Sequence, residues 1–116
     1  MNSDKQRIAI AESVGWKDCH ENENWAATIG TLYEVNGNQY AVLPDYLNDL
    51  NAMHDAMAYL EPEQVDLFAV ELSDIVLENP HKAWWDLEPN EVGHVANASA
   101  KQRAEAYLKI IKKWKE

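Results

Sequence analysis

The chain has 116 residues, 47% of them hydrophobic and 26% charged, with only 4 Gly and 4 Pro, the profile of one small globular domain over residues 1–116. A single cysteine, Cys19, excludes an intramolecular disulfide and any CxxC metal site, and no apolar run approaches the roughly 20 residues that span a bilayer. Twenty acids against ten bases give a net charge of −10, which opposes direct contact with nucleic acid or anionic lipid over most of the surface.

In chain order, Ser3-Asp-Lys-Gln6 has the S-x-x-Q form of a capping box and predicts a helix from about Asp4 to Val14, with Gly15 as its left-handed stop. Lys17 to Asn24 reads as a polar loop. Trp25 to Val35 is rich in β-prone residues, Asn36-Gly37 suits a type I′ turn, and Gln39 to Leu43 resumes β-prone sequence; together they predict a β-hairpin. From Pro44 a second helix is expected, with Tyr46, Leu50, Met53, Met57 and Leu60 on one stripe and Asp45, Asn48, Asn51 and Asp55 off it.

Glu61-Pro62 restarts the chain into a third helix that ends before Asn79-Pro80. Val65, Phe68, Ala69, Leu72, Ile75 and Val76 form its expected inner face, while Glu63, Asp66, Glu71, Asp74 and Glu78 project from the other side together with Leu67, Val70 and Leu77. Asn79 to Asn97 is loop-like, with a short strand expected in Glu91 to Ala96. Trp84 and Trp85 lie in this run; if extended, one packs inward and the other is a candidate binding anchor. Ser99-x-x-Gln102 is a second capping-box signal, opening a last helix whose stripe is Ala100, Ala104, Tyr107, Leu108, Ile111 and Trp114. The fold class expected is α+β, a small antiparallel sheet with a β-hairpin, packed by about four helices in an α/β sandwich.

The charge is divided into two poles. Asp18 to Glu91 holds sixteen acids and one base, Lys82, whereas Lys101 to Glu116 holds six bases and two acids. The plainer reading of this acidity is solubility. The sharper one is a docking surface for a basic protein, centred on the apolar ridge of Leu67, Val70 and Leu77 with its rim of carboxylates. Burial of that ridge under another layer of the same domain is the plainer reading there.

Three blocks, Arg7-Ile-Ala-Ile-Ala-Glu-Ser-Val-Gly-Trp16, Leu43-Pro-Asp-Tyr-Leu-Asn-Asp-Leu-Asn-Ala-Met-His54 and Ala98-Ser-Ala-Lys-Gln-Arg-Ala-Glu-Ala-Tyr-Leu108 with Trp114, resemble the phage ABA sandwich domain family in sequence, order and spacing. The resemblance implies an α/β sandwich from a small bacteriophage or prophage protein, and it carries no catalytic role with it. The lone cysteine and the lack of an apolar span or a signal-like N-terminal stretch lead to the expectation of a cytoplasmic place, here in a bacterial host. It weakens between Glu61 and Asn97, where a specialised function is expected to sit.

Chemistry is thinly supported. Asp45, Asn48, Asp49 and Asn51 could ligate or hydrogen-bond near a helix start, but capping explains Asp45 and Asp49, and His54 at the edge of an apolar stripe reads first as a packed histidine. Cys19-His20 is not spaced as a chelate, and His81 and His94 lack a histidine one turn away. With no nucleophile elbow and no P-loop, no enzyme activity, cofactor or metal is expected.

The leading expectation is a non-enzymatic phage accessory protein that binds a host or phage protein with a basic surface. Its specific form is an inhibitor of a host defence or nucleic-acid-handling protein whose carboxylates imitate a phosphate array. The residues assigned to that contact are Glu63, Asp66, Leu67, Val70, Glu71, Asp74, Leu77, Glu78, Trp84 and Trp85. The alternatives are a module that sequesters a small molecule or nucleotide signal through Lys101 or Arg103 beside an aromatic face, and a self-associating domain, with a homodimer through the third helix.

Overall fold

A computed structural model describes residues 1–31, 40–77 and 87–115. The first helix, α1 (Ser3–Ser13), is capped by Asn2, whose Oδ1 accepts the Lys5 N–H at 2.8 Å. The cap therefore falls one residue before the expected Ser3 box. Asn caps at least as well as Ser, and Gln6, freed from that duty, is buried with its amide donating to the Met1 carbonyl at 3.3 Å. The far end closes as a Schellman motif: Gly15, at φ +107°, donates to Glu12 O at 3.3 Å and Trp16 donates to Ala11 O at 3.0 Å. The left-handed stop at Gly15 stands, and it fixes where Trp16 leaves the helix.

The stretch expected as a polar loop is instead strand β1 (Lys17–Asn22), antiparallel to β2 (Ala27–Thr31) around a Glu23–Ala26 turn. Nothing local in Lys-Asp-Cys-His-Glu-Asn favours a strand; pairing with β2 makes it one, and tertiary context of this kind overrides propensity. The strand is charged and irregular in the way edge strands commonly are: the register shifts between Lys17 and His20, with Asp18 at φ 51°. On the other side β2 pairs antiparallel with β3 (Ala41–Val42), as the hairpin expectation required, while its Asn36-Gly37 turn lies outside the described residues. In the central strand a Cβ on Gly30 would stand 3.0 Å from Cys19 Sγ and 3.1 Å from Leu43 Cδ2. A side chain there would press both neighbours back by a few tenths of an ångström, so glycine suits this close approach.

Pro44 to Asn48 is not helical, with a turn at 46–48, so the second helix, α2 (Leu50–Met57), begins later than expected. Asp49 caps it, accepting from Asn51 N at 2.9 Å. The change of conformation breaks the periodicity counted from Tyr46, and Leu50 is consequently exposed. α3 (Pro62–Leu77) starts at its proline, the favoured first position. Asn79 to Asn97 holds a further helix, α4 (Pro89–Ala96), where a strand was expected. Pro89 and Gly93 read as loop residues, yet proline is well placed in a first turn, and Glu91 accepts the Glu88 N–H at 2.9 Å to close it. α5 (Ala100–Ile110) carries the expected Ser99/Gln102 capping box, with bonds of 3.1 and 3.0 Å.

The fold is α+β, with five helices among the described residues and a three-stranded antiparallel sheet in the order β1-β2-β3. α1 packs on the sheet, and α5 packs against α1, α2 and α3. This central place suits α5 because Ala100, Ala104 and Ala106 are all buried on it, and such small side chains let neighbouring helices come close. Tyr107 and Leu108 fill the remaining space together with Ile10, Leu43, Tyr46, Met53, Phe68 and Leu72. The Ser13 hydroxyl donates to Ile10 O and so accepts from the Tyr107 hydroxyl at 2.8 Å, tying α1 to α5. Among the described residues no helix is long and apolar enough to cross a membrane.

Candidate functional site

The structure divides the ten residues assigned to a partner contact. Burial on α3 begins only at Phe68, so its first turns stand in solvent: Glu61, Glu63, Asp66 and Leu67 are exposed, Leu67 at 57%. Val65, expected on the inner face, is also 50% exposed. Further along, Val70, Asp74 and Leu77 are half-buried. Glu71 turns towards α5, where the Lys109 ammonium stands 3.8 Å from it, 3.3 Å from Glu105 and 5.9 Å from the Trp114 ring. Glu78, Trp84 and Trp85 lie outside the described residues.

What remains is a compact patch at the start of α3, continuous in the chain with Tyr59, which is 63% exposed. Gln64 holds the entry to the helix, its side-chain oxygen accepting the Glu61 N–H at 2.8 Å. No lysine or arginine occurs between Asp18 and Leu77. Some of the acids there are structurally occupied: Asp49 caps α2, and Asp45 accepts from the Asn48 amide at 3.1 Å. Asp55, Glu63 and Asp66 are exposed, and no salt bridge joins them to another described residue.

Next to this patch, a cleft of about 240 Å³ opens between the end of α1, the Pro44 turn and α2. Trp16, Pro44, Tyr46, Asp55, Ala56 and Tyr59 are among the residues that line it. Each is held by local structure. The Gly15 turn delivers Trp16; the Arg7 guanidinium grips the carbonyls of Leu43 and Pro44 ahead of Tyr46; and Tyr59 follows the end of α2, its N–H donating to Ala56 O at 3.0 Å. Burial, reinforced by neighbouring Tyr107, pushes the Tyr46 hydroxyl up to about 12, against a weaker opposing effect of a hydrogen bond with Trp16. Tyr46 is therefore neutral at ordinary pH. Sequence reasoning gave this cleft no role; the available signal was the four-residue spacing between Asp55 on α2 and Tyr59 just past its end.

Other candidate groups are chemically quiet. Burial, with the Glu12 and Asp18 carboxylates, pushes the Cys19 thiol up to about 11, so it is a thiol rather than a nucleophilic thiolate near neutrality. His54, expected as a packed histidine, is exposed, and His20 Nδ1 lies 2.8 Å from the Asp18 carbonyl. Arg103, named for a nucleotide pocket, spends its guanidinium on the carbonyls of Ala96 and Ala98 at 3.0 and 3.2 Å, and Lys101 is exposed. No group of three His, Cys, Asp or Glu suited to a metal ion occurs among the described residues. No family model matches the chain, and no curated protein or solved structure was found to be similar to it.

Proposed function

We propose that this is a non-enzymatic protein-binding module that docks the first turns of α3 onto a basic protein surface. The observation that carries the reading is the exposed pair Val65 and Leu67 set among Glu61, Glu63 and Asp66, in a region where no base occurs from Asp18 to Leu77. An apolar centre with a charged rim matches the anatomy of protein interfaces, and single-sign charge speeds encounter with an oppositely charged partner. The motif blocks that resemble the phage ABA sandwich domain support placing it among phage or prophage accessory proteins. On that footing the partner is a host protein whose basic groove ordinarily meets phosphates, and the carboxylates of α3 occupy it.

The test is capture from a bacterial host lysate by the wild type and by a Glu63→Lys/Asp66→Lys variant, with mass spectrometry of what each retains. A protein held by the wild type at low salt, released at high salt and reduced about tenfold on the variant supports the reading. Equal recovery on both removes α3 from the interface.

A further inference from the structure

We propose that the cleft lined by Trp16, Tyr46 and Tyr59 with the Asp55 carboxylate binds an alkylated ammonium group. The inference goes beyond the docking of α3 and does not rest on it.

Trp16 and Tyr59, the buried Tyr46 beneath them and the apolar groups of Pro44 and Ala56 line the cleft with Asp55 as its one carboxylate. Aromatic faces attract cations through their quadrupole, and recognition of quaternary ammonium by several rings at once is the established use of that attraction. The lining also selects among cations. A bare ammonium brings three donors that must each find an acceptor, and burying one without partners is costly. A methylated ammonium has few or no donors and buries its methyl groups against rings, proline and alanine, while Asp55 balances its charge. An anion is disfavoured by Asp55, and Arg7, the base that reaches the Pro44 side of the cleft, has its guanidinium engaged by the Leu43 and Pro44 carbonyls. At about 240 Å³ the cleft lies below the ordinary range for drug-sized ligands, about 300–1,000 Å³, and so suits a headgroup better than a nucleotide. Tyr46 is 3% exposed and belongs to the core, so it supplies only the preformed floor of the cleft, and the rings accessible to a guest are those of Trp16 and of Tyr59, which is 63% exposed.

The chemistry has two sources, a free choline-like molecule or a trimethylated lysine of another protein. The experiment is a heteronuclear NMR titration of the full chain with choline, with its uncharged isostere 3,3-dimethylbutanol, and with a short peptide containing trimethyl-lysine, all at one ionic strength. Choline is expected to shift the Trp16 indole N–H and the Asp55 and Tyr59 amides, and the isostere to bind at least ~10-fold more weakly. Tyr59→Ala, at an exposed position that leaves the core intact, should weaken choline at least ~3-fold with an unchanged far-ultraviolet spectrum. If the peptide binds tighter than choline, the source is a protein side chain; the reverse order assigns a free molecule. Equal binding of choline and isostere, no shifts at the cleft from choline or the peptide, or indifference to Tyr59→Ala overturns the proposal. Because Glu63 and Asp66 are untouched, either result leaves the docking test independent.

Discussion

The start of α3 and the length of α5 use their charged residues in opposite ways. On α5, Arg103 closes the end of α4 through two carbonyls and Lys109 stands between Glu71 and Glu105 beside Trp114. On the first turns of α3, Glu63 and Asp66 are exposed beside Val65 and Leu67. A charge with a structural partner explains itself. A charged rim around exposed apolar side chains has no such internal explanation, and this difference is what supports the proposal of a docking face on α3.

Substitutions can break that comparison. The largest effect expected is Leu108→Ala on the buried side of α5, which should cost about 2–5 kcal/mol by chemical denaturation, while Leu67→Ala on α3 should stay within about 0.5 kcal/mol. A similar cost at both sites would mean that the start of α3 is packed after all. Arg103→Met should cost about 1–3 kcal/mol, since charged hydrogen bonds to Ala96 and Ala98 are lost. Gly15→Ala should cost about 1–2 kcal/mol, because φ +107° strains any residue with a Cβ, and it should also shift the Trp16 emission. Smallest is Lys109→Met, at most about 1 kcal/mol, as its partners are about a third exposed and solvent-screened.

Titration offers a separate check. Cys19 rises from 9.0 to about 11, so the folded state favours the protonated thiol. Its contribution is full below the unfolded value and is lost as pH climbs from 9.0 to about 11, where the unfolded chain ionises first. The melting temperature should fall across that window, and iodoacetamide at pH 8 should label Cys19 about tenfold more slowly in the folded chain than in the unfolded one, because the smaller thiolate fraction is partly offset by the greater nucleophilicity of a more basic thiolate. Equal labelling rates would contradict the environment described for the thiol.

Signals confined to a few neighbouring residues were legible in the sequence. The Ser99–Gln102 box, Pro62 at the head of α3 and Gly15 at the end of α1 each need only local chemistry, and each stands where expected. β1 was not legible because its conformation depends on pairing with β2, and α4 because Pro89 and Gly93 resemble loop punctuation until Glu91 caps the turn. Helical projection placed Glu71 among the outward acids, and a partner on α5 decides its direction instead. The aromatic cleft draws on residues 16, 44–46 and 52–59, three segments that only the fold brings together.

The central claim is that the position of the acids on α3, and not the total charge, makes the docking surface. The direct measurement sets the lysate capture by Glu63→Lys/Asp66→Lys beside capture by Glu12→Lys/Glu21→Lys, which makes the same change in net charge at two other exposed acids. The account predicts that the α3 variant alone releases the partner. Equal release by both variants would show that overall acidity is all that matters, and retention by both would show that α3 is not the docking face.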